Sequence, residues 1–227
     1  MPLLLLAGYG PGNAHSIAAR FGGQGWTIAL VGRSEERLGA GVELLAAQGV
    51  EARAFVGDVS DVDSVPAVVA AVRSELGPIS ALALTAYRHV EVSDVLTDPP
   101  EQIERVFSIG VGGLAALVQA SVDDLRSASD AAVLVVNGGL GVSGEEIDRG
   151  AVSFGGDGVA LECAAKSKLV GLLAERLRGD DVYVGEIVIT RAVKGSPYSG
   201  PDAIDPADVA ERLWTMFRER SSVRTFA

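Results

Sequence analysis

The glycine-rich segment after the first apolar run constrains the fold of this chain more than any other feature. The run Leu3–Ala7 has the length of a buried strand, and a helical pattern over Ala14–Phe21 begins shortly after it. Between them stand Gly8, Tyr9, Gly10, Pro11, Gly12 and Asn13. A strand, a glycine turn and a helix in this order are typical of a phosphate-binding turn.

A dinucleotide makes three demands on such a turn. It needs a tight bend, a position without a side chain beside the pyrophosphate, and a small residue where helix meets strand. Gly8, Gly12 and Ala14 meet these demands, and the helix N-terminus adds free N–H groups and partial positive charge. We therefore predict that the turn, with Gly10 and Asn13, binds a pyrophosphate. The alternative is a glycine turn without a ligand.

Apolar runs alternate with helical patterns along the rest of the chain. The runs of strand length are Trp26–Val31, Ala52–Phe55, Ala81–Thr85, Ala132–Asn137 and Tyr183–Ile189. The helical patterns are Glu35–Ala47, Val62–Leu76, Pro100–Arg126 and Gly158–Arg178, with a last helix starting at Asp205-Pro206. Continuous apolar runs indicate strands covered on both faces. The order predicts an α/β fold, a Rossmann-type doubly wound parallel sheet, as a single domain over residues 1–227. Two long connections, 86–99 and 138–157, follow strand C-termini, where such folds place ligands.

Composition excludes several function classes. With 30 acidic and 19 basic residues the net charge is −11, which disfavours nucleic acid as a partner. Cys163 is the one cysteine, so an intramolecular disulfide is impossible and a reducing, cytoplasmic location is expected. The first apolar run ends at Gly8, too early for a signal peptide or a membrane span, so we expect no membrane partner. Histidine and cysteine spacing predicts no metal site.

The second apolar run ends in Val31, Gly32, Arg33 and Ser34. Sites specific for NAD usually carry an acid here, which binds the ribose 2′-hydroxyl. Arg33 instead suits a 2′-phosphate, because guanidinium binds phosphate in a bidentate fork. We therefore predict NADP(H) rather than NAD(H), bound by Arg33 and Ser34. The alternative is a solvated arginine at the start of a helix.

The third apolar run leads into Gly57, Asp58, Val59 and Ser60. An acid at this place can accept a hydrogen bond from the adenine amino group. Asp58 or Ser60 could instead cap the next helix, and both roles could hold together.

In this order, the glycine turn, Arg33 and the Gly57-Asp58-Val59 segment resemble the short-chain dehydrogenase/reductase superfamily over nearly the whole chain. The resemblance implies a Rossmann fold, cofactor contacts at Asp58, Val59 and Ala86, and a small-molecule substrate. It also implies a homodimer or homotetramer, with Pro100–Arg126 and Gly158–Arg178 in the main interface.

Three of the family's catalytic positions carry other residues here. The asparagine falls on Gly110, the serine near Gly139, and the Tyr-x-x-x-Lys pair on Glu162 and Lys166. The chain therefore resembles a divergent branch in which the cofactor half survives and the Asn-Ser-Tyr residues do not. Lys166 is implied to keep its contact with the ribose.

Glu162 cannot simply replace the tyrosine as a proton donor. A free glutamate has a pKa of about 4.3, against about 10 for tyrosine. It could act as a base, or as an acid if burial raised its pKa. It could equally form an ordinary exposed i,i+4 ion pair with Lys166, worth about 0.3–0.5 kcal/mol. We expect Glu162→Gln to leave cofactor affinity nearly unchanged, because the glycine turn and Arg33 should dominate binding.

Other polar residues beyond the strand C-termini could approach the nicotinamide. We single out Tyr87 as a candidate catalytic residue, and the further candidates are His89, Ser143, Ser153 and Tyr198. Each could also be an ordinary loop residue. Gly110, Gly112 and Gly113 interrupt a helical pattern, which predicts close approach of a partner helix or of the nicotinamide.

The sequence predicts an NADP(H)-dependent oxidoreductase of the carbonyl reductase or alcohol dehydrogenase type with a non-standard active site. Two alternatives remain open. One is a non-redox enzyme on the same scaffold, a cyclase, isomerase or lyase with Glu162 as base. The other is a catalytically inactive protein that binds NADP(H).

Overall fold

The computed structural model describes residues 1–87, 91–197 and 199–227. Over these residues seven strands form one parallel sheet: β1 (Leu3–Ala7), β2 (Thr27–Gly32), β3 (Ala52–Val56), β4 (Ala81–Leu84), β5 (Ala132–Gly138), β6 (Tyr183–Ile189) and β7 (Arg224–Phe226). Their order is β3-β2-β1-β4-β5-β6-β7. The order reverses between β1 and β4, which is where doubly wound sheets bind ligands. The predicted α/β, Rossmann-type doubly wound sheet is therefore confirmed.

Eight α-helices within the described ranges cover the two faces of the sheet: α1 (Asn13–Gly22), α2 (Glu35–Ala46), α3 (Val65–Leu76), α4 (Pro100–Phe107), α5 (Leu114–Ser127), α6 (Glu145–Ser153), α7 (Asp157–Leu177) and α8 (Pro206–Glu219). Successive side chains of a strand point to opposite faces. Leu3 and Leu5 accordingly join a buried cluster with α3, α5 and α7. Leu4 and Leu6 join another with α1, α2 and α8. The fold thus has two apolar layers on either side of one sheet.

The sequence missed two elements. Helix α6 lies within the connection 138–157, and its first turn carries Glu145, Glu146 and Asp148, which the helix dipole favours there. Strand β7 has three residues, and no apolar run marks it. The prediction that every strand is covered on both faces is wrong for β3, which lies at the sheet edge with Arg53 exposed.

A π-helical segment, Ser108–Gly113, separates α4 from α5, where one helix was predicted.

The helical stretch Pro100–Ser127 is also long and apolar enough to cross a membrane, judged by length and composition alone. Core helices of soluble proteins meet the same criterion, and 44% of its most apolar part is buried inside the protein.

Candidate functional site

A pocket of about 420 Å³ opens at the carboxyl ends of β1, β2, β3 and β4. It brings together the predicted residues Gly8, Gly10, Arg33, Ser34, Asp58, Val59, Ala86 and Tyr87. Four other predicted residues are not among the described residues that line the pocket: Gly12, Asn13, Glu162 and Lys166. The pocket thus assembles most of the predicted dinucleotide site at the point where the strand order reverses.

The glycine turn is held tightly against β2 and β4. Gly8 has φ +95°, and its N–H donates to the carbonyl oxygen of Val31. At Gly10 and Gly12, a Cβ atom would meet no described heavy atom within 4 Å. Helix α1 begins directly after Gly12, and its fully described first turn carries no acidic side chain. The turn therefore leaves open backbone next to a helix N-terminus, as an anionic ligand requires.

Tyr9 fills the space between the glycine turn and α2. Its ring packs where a Cβ on Gly41 would lie, 2.3 Å from Tyr9 Cε1. Its hydroxyl lies 3.0 Å from Nδ1 of His15, whose Nε2 contacts Gln48. Burial raises the pKa of Tyr9 and lowers the pKa of His15. Sequence reasoning did not assign this packing role to Tyr9.

Two arginines border the pocket at the start of α2. Arg33 and Arg37 both line it and are exposed, and the Ser34 hydroxyl caps the helix by accepting the Arg37 N–H at 3.2 Å. Sequence reasoning missed Arg37, although its spacing of four residues from Arg33 is a usable signal. Two cations beside one pocket stand out in a chain of net charge −11.

Asp58 also lines the pocket. Its Oδ1 accepts from the backbone N–H of Ser60 at 2.9 Å and from the Ser60 hydroxyl at 2.7 Å. Helix α3 begins at Val65, so the alternative in which Asp58 or Ser60 caps that helix is wrong. The hydrogen bonds instead fix the carboxylate in a turn directly after β3.

The segment after β4 lines the pocket and packs against the glycine turn. The Thr85 hydroxyl lies 3.2 Å from the carbonyl oxygen of Ala7 and 3.0 Å from that of Gly8. Tyr87 lines the pocket with 64% of its surface exposed. The candidates His89 and Tyr198 lie outside the described residues.

The remaining candidates from the second long connection are not gathered at the pocket. Ser143 is exposed. Ser153 ends α6, and its hydroxyl donates to the carbonyl oxygen of Gly150 at 2.7 Å.

Glu162 and Lys166 form a buried ion pair on α7. Each side chain is 1% exposed, and Nζ of Lys166 lies 3.7 Å from Oε1 of Glu162. The interpretation of this pair as an exposed helix-surface ion pair is therefore wrong, because α7 turns this face towards the π-helical segment and not towards solvent.

The three glycines of the π-helical segment are each explained by a contact within the chain. A Cβ on Gly110 would lie 2.7 Å from Oε1 of Glu162, and one on Gly113 would lie 2.3 Å from the carbonyl oxygen of Val59. A Cβ on Gly112 would lie 3.1 Å from Cγ1 of Val62. The three glycines are closely approached, as predicted. The atoms that approach them belong to neighbouring parts of this chain, whereas a partner helix or the nicotinamide was expected.

The turn after β5 is also packed tightly. A Cβ on Gly139 would lie 3.1 Å from Cα of Thr190, and one on Gly141 would lie 2.4 Å from the backbone nitrogen of Ala164. A serine at position 139 would therefore need Thr190 to move.

A buried carboxylate ties β6 to the surrounding elements. Glu186 is fully buried, and its Oε1 accepts from Asn137 Nδ2 and from the Ser167 hydroxyl, each at 2.6 Å. Its Oε2 accepts from Nε of Arg224 at 2.7 Å, which docks β7. Sequence reasoning missed this network, although a glutamate inside an apolar strand run signals a buried partner.

Within the described ranges, no group of three or more His, Cys, Asp or Glu side chains converges as metal ligands would. The family described as short chain dehydrogenase matches residues 3–147, more than half of the chain. The chain belongs to the short-chain dehydrogenase family. This result confirms the superfamily that the sequence resembles, and the match includes every described residue that lines the pocket.

One relative of this short-chain dehydrogenase is a short chain dehydrogenase of Pseudocercospora fijiensis (strain CIRAD86), 26% identical over 136 residues. The aligned part covers 59% of this chain and 43% of the relative, so the chain spans less than half the length of that protein.

Solved structures share the fold at low sequence identity. A short chain oxidoreductase from Pseudomonas aeruginosa PAO1, described as containing an atypical catalytic center, has a TM-score of 0.85 at 18% identity, covering 100% of this chain and 95% of the other. The alcohol dehydrogenase of Thermococcus sibiricus, complexed with 5-hydroxy-NADP, scores 0.82 at 19% identity, covering 100% and 96%. L-Sorbose reductase from Gluconobacter frateurii, complexed with NADPH and L-sorbose, scores 0.81 at 19% identity, covering 100% and 94%.

Proposed function

We propose that this short-chain dehydrogenase is an NADP(H)-dependent oxidoreductase of the carbonyl reductase or alcohol dehydrogenase type, with a non-standard active site. One observation carries the proposal: Arg33 and Arg37 border the same pocket as the glycine turn and Asp58. The pocket therefore offers a pyrophosphate site, an adenine acceptor and two cations for a 2′-phosphate. The NADP-bound alcohol dehydrogenase and the NADPH-bound sorbose reductase of the same fold support this choice.

When bound, NADPH supplies the hydride for a carbonyl substrate. In our assignment the glycine turn with Asn13 binds the pyrophosphate, and Ser34 assists the two arginines at the 2′-phosphate. Asp58 accepts from adenine, Val59 and Ala86 contact the cofactor, and Lys166 contacts the nicotinamide ribose.

We assign the proton donor to Tyr87. Among the described hydroxyls that line the pocket, that of Tyr9 pairs with His15, and that of Ser34 caps α2. The Thr85 hydroxyl is engaged by backbone oxygens of Ala7 and Gly8. Tyr87, 64% exposed at the pocket, is the candidate able to reach a substrate.

A cofactor-binding protein without turnover is the second candidate. The burial of Glu162 favours it, because the residue at the tyrosine position cannot touch a substrate where it lies. The same burial is an argument against a non-redox enzyme with Glu162 as base, since a base must contact the proton that it removes.

Calorimetric titration with NADPH and NADH tests the binding proposal. We expect NADPH to bind more tightly by about tenfold or more, the typical value of a charged phosphate contact. Equal or reversed affinities would contradict the preference, and binding of neither would contradict the function.

Turnover is tested by the absorbance of reduced nicotinamide with a panel of aldehydes and ketones. Tyr87→Phe should abolish consumption of NADPH and leave its affinity unchanged. Tyr183→Phe is the matched control, because it removes a hydroxyl that donates to the carbonyl oxygen of Ser222. Tight binding without turnover by the wild-type protein would establish the second candidate.

We further propose a homodimer or homotetramer in the cytoplasm that acts on a small molecule, with neither nucleic acid nor membrane as a partner. Light scattering at several protein concentrations and cell fractionation test these points. A monomer, or a protein found with membranes, would contradict them.

A further inference from the structure

We infer that Glu162 is a positioning residue, which holds Lys166 behind the cofactor pocket in a space that Gly110 leaves open. The inference rests on the proposed function, because it gives Lys166 its role at the cofactor ribose. It concerns how this chain keeps the lysine in place when no tyrosine stands one helical turn before it.

The first argument is the burial of both charges. Lys166 and Glu162 are each 1% exposed, with Nζ and Oε1 3.7 Å apart. An ammonium group removed from water needs a partner of opposite charge, and removing one member of a buried pair leaves the other uncompensated. Lys166 therefore depends on Glu162 for its buried position.

The second argument is the shape of the π-helical segment at Gly110. A Cβ atom there would lie 2.7 Å from Oε1 and 3.0 Å from Cγ of Glu162, and 3.0 Å from Cε of Lys166. Contacts below 3.0 Å are essentially never seen for real Cβ atoms. A side chain at position 110 would thus displace the pair, so the glycine and the glutamate fit each other as a unit.

The third argument is the location of the pair relative to the pocket. Ile109 lines the pocket, and its neighbour Gly110 touches the pair. Lys166 therefore lies close to the part of the pocket wall that Ile109 forms. Neither Glu162 nor Lys166 is among the described residues that line the pocket. Because the proposed function gives the ribose contact to Lys166, Glu162 acts through Lys166.

Two ligands separate this role from a general structural one. NADPH carries the nicotinamide ribose, whereas adenosine 2′,5′-bisphosphate carries only the adenine end with its 2′-phosphate. We expect Glu162→Gln to weaken NADPH binding by about tenfold or more, the typical value for loss of one charged hydrogen bond, here the one between Lys166 and the ribose. The affinity for the bisphosphate should stay unchanged. Glu162→Asp, which keeps the charge, should retain part of the NADPH affinity.

Glu175→Gln is the matched control, since it removes a carboxylate from the same helix at a site that is 68% exposed. It should change the affinity of neither ligand.

A second pair of variants tests the shape argument. Gly110→Ala should reproduce the selective loss of NADPH affinity, whereas Gly112→Ala, which faces Val62 at 3.1 Å, should not.

If Glu162→Gln does not fold, as judged by thermal unfolding, Gly110→Ala and Gly112→Ala decide the question. Unchanged NADPH affinity in Glu162→Gln, which the sequence alone predicts because the glycine turn and Arg33 should dominate binding, would overturn the inference. Equal losses for both ligands would overturn it as well. A wild-type protein that binds neither ligand would overturn the proposed function itself, and that result differs from both.

Discussion

A Cβ atom on Gly8 would lie 2.3 Å from the backbone nitrogen of Ala86, so the glycine turn and the segment after β4 are packed backbone to backbone. The Thr85 hydroxyl adds hydrogen bonds to the carbonyl oxygens of Ala7 and Gly8. This part of the pocket wall is therefore made from the tightly packed segments that follow β1 and β4.

Gly8→Ala should destabilise the protein more than Gly25→Ala does. Both glycines have positive φ, +95° and +85°, which costs a residue with a Cβ about 1–2 kcal/mol. At Gly25 no described atom lies within 4 Å of the new Cβ, whereas at Gly8 it meets Ala86. Overpacking should add about 1–3 kcal/mol at Gly8. Urea unfolding measures the difference, and equal costs would contradict the packing argument.

Arg33→Ala and Arg37→Ala should each weaken NADPH binding by about tenfold and leave NADH binding little changed. The reason is that both guanidinium groups border the pocket, where the 2′-phosphate distinguishes the two cofactors. The effect should shrink as salt screens the exposed charges. Calorimetry measures it, with Arg53→Ala as control, because Arg53 pairs with Glu75 away from the pocket. A parallel loss of NADH affinity would argue against a phosphate-specific role.

Arg224→Ala should lower the free energy of unfolding by about 3 kcal/mol. Glu186 is fully buried, and removal of Arg224 takes away the cation that pairs with its carboxylate. Because Arg224 is itself partly exposed, we place the cost at the lower end of the range for breaking a buried ion pair. Arg178→Ala, which breaks an exposed pair with Glu175, should cost about 1 kcal/mol or less. Urea denaturation compares the two. Similar small costs would show that neutral donors suffice for Glu186.

The protein should lose stability in alkali through Tyr183. Burial raises the pKa of Tyr183 to about 12, whereas an unfolded tyrosine ionises near 10. Between these values the folded state keeps a proton that the unfolded state has lost, so the free energy of unfolding falls as pH rises. Tyr183→Phe should reduce this fall. Tyrosinate absorbance measures the titration, and ionisation of Tyr183 near pH 10 would contradict the prediction.

The sequence predicted the sheet well because most central strands are short, predominantly apolar runs. It predicted that the glycine turn, Arg33 and Asp58 gather at one pocket, because each follows a strand and parallel strands bring their carboxyl ends to one edge. Arg37 was missed because its position at the pocket depends on the orientation of the first turn of α2.

The Glu162–Lys166 pair shows where local pattern fails. The spacing i,i+4 is the same for exposed and buried pairs, and only the packing of α7 against the π-helical segment decides between them. Glu186 was missed for the same reason, since its partner Arg224 lies 38 residues away in sequence. Contacts between distant elements carry this information, and no local pattern contains it.

Every described residue that lines the pocket lies between Gly8 and Ile109, in the first half of the chain. A single contiguous segment of the chain therefore supplies all the described residues of the cavity wall. Gly139 and Glu162 lie downstream of this segment and are not among the described residues that line the pocket. The described cavity wall and the Glu162–Lys166 pair thus belong to separate stretches of the chain.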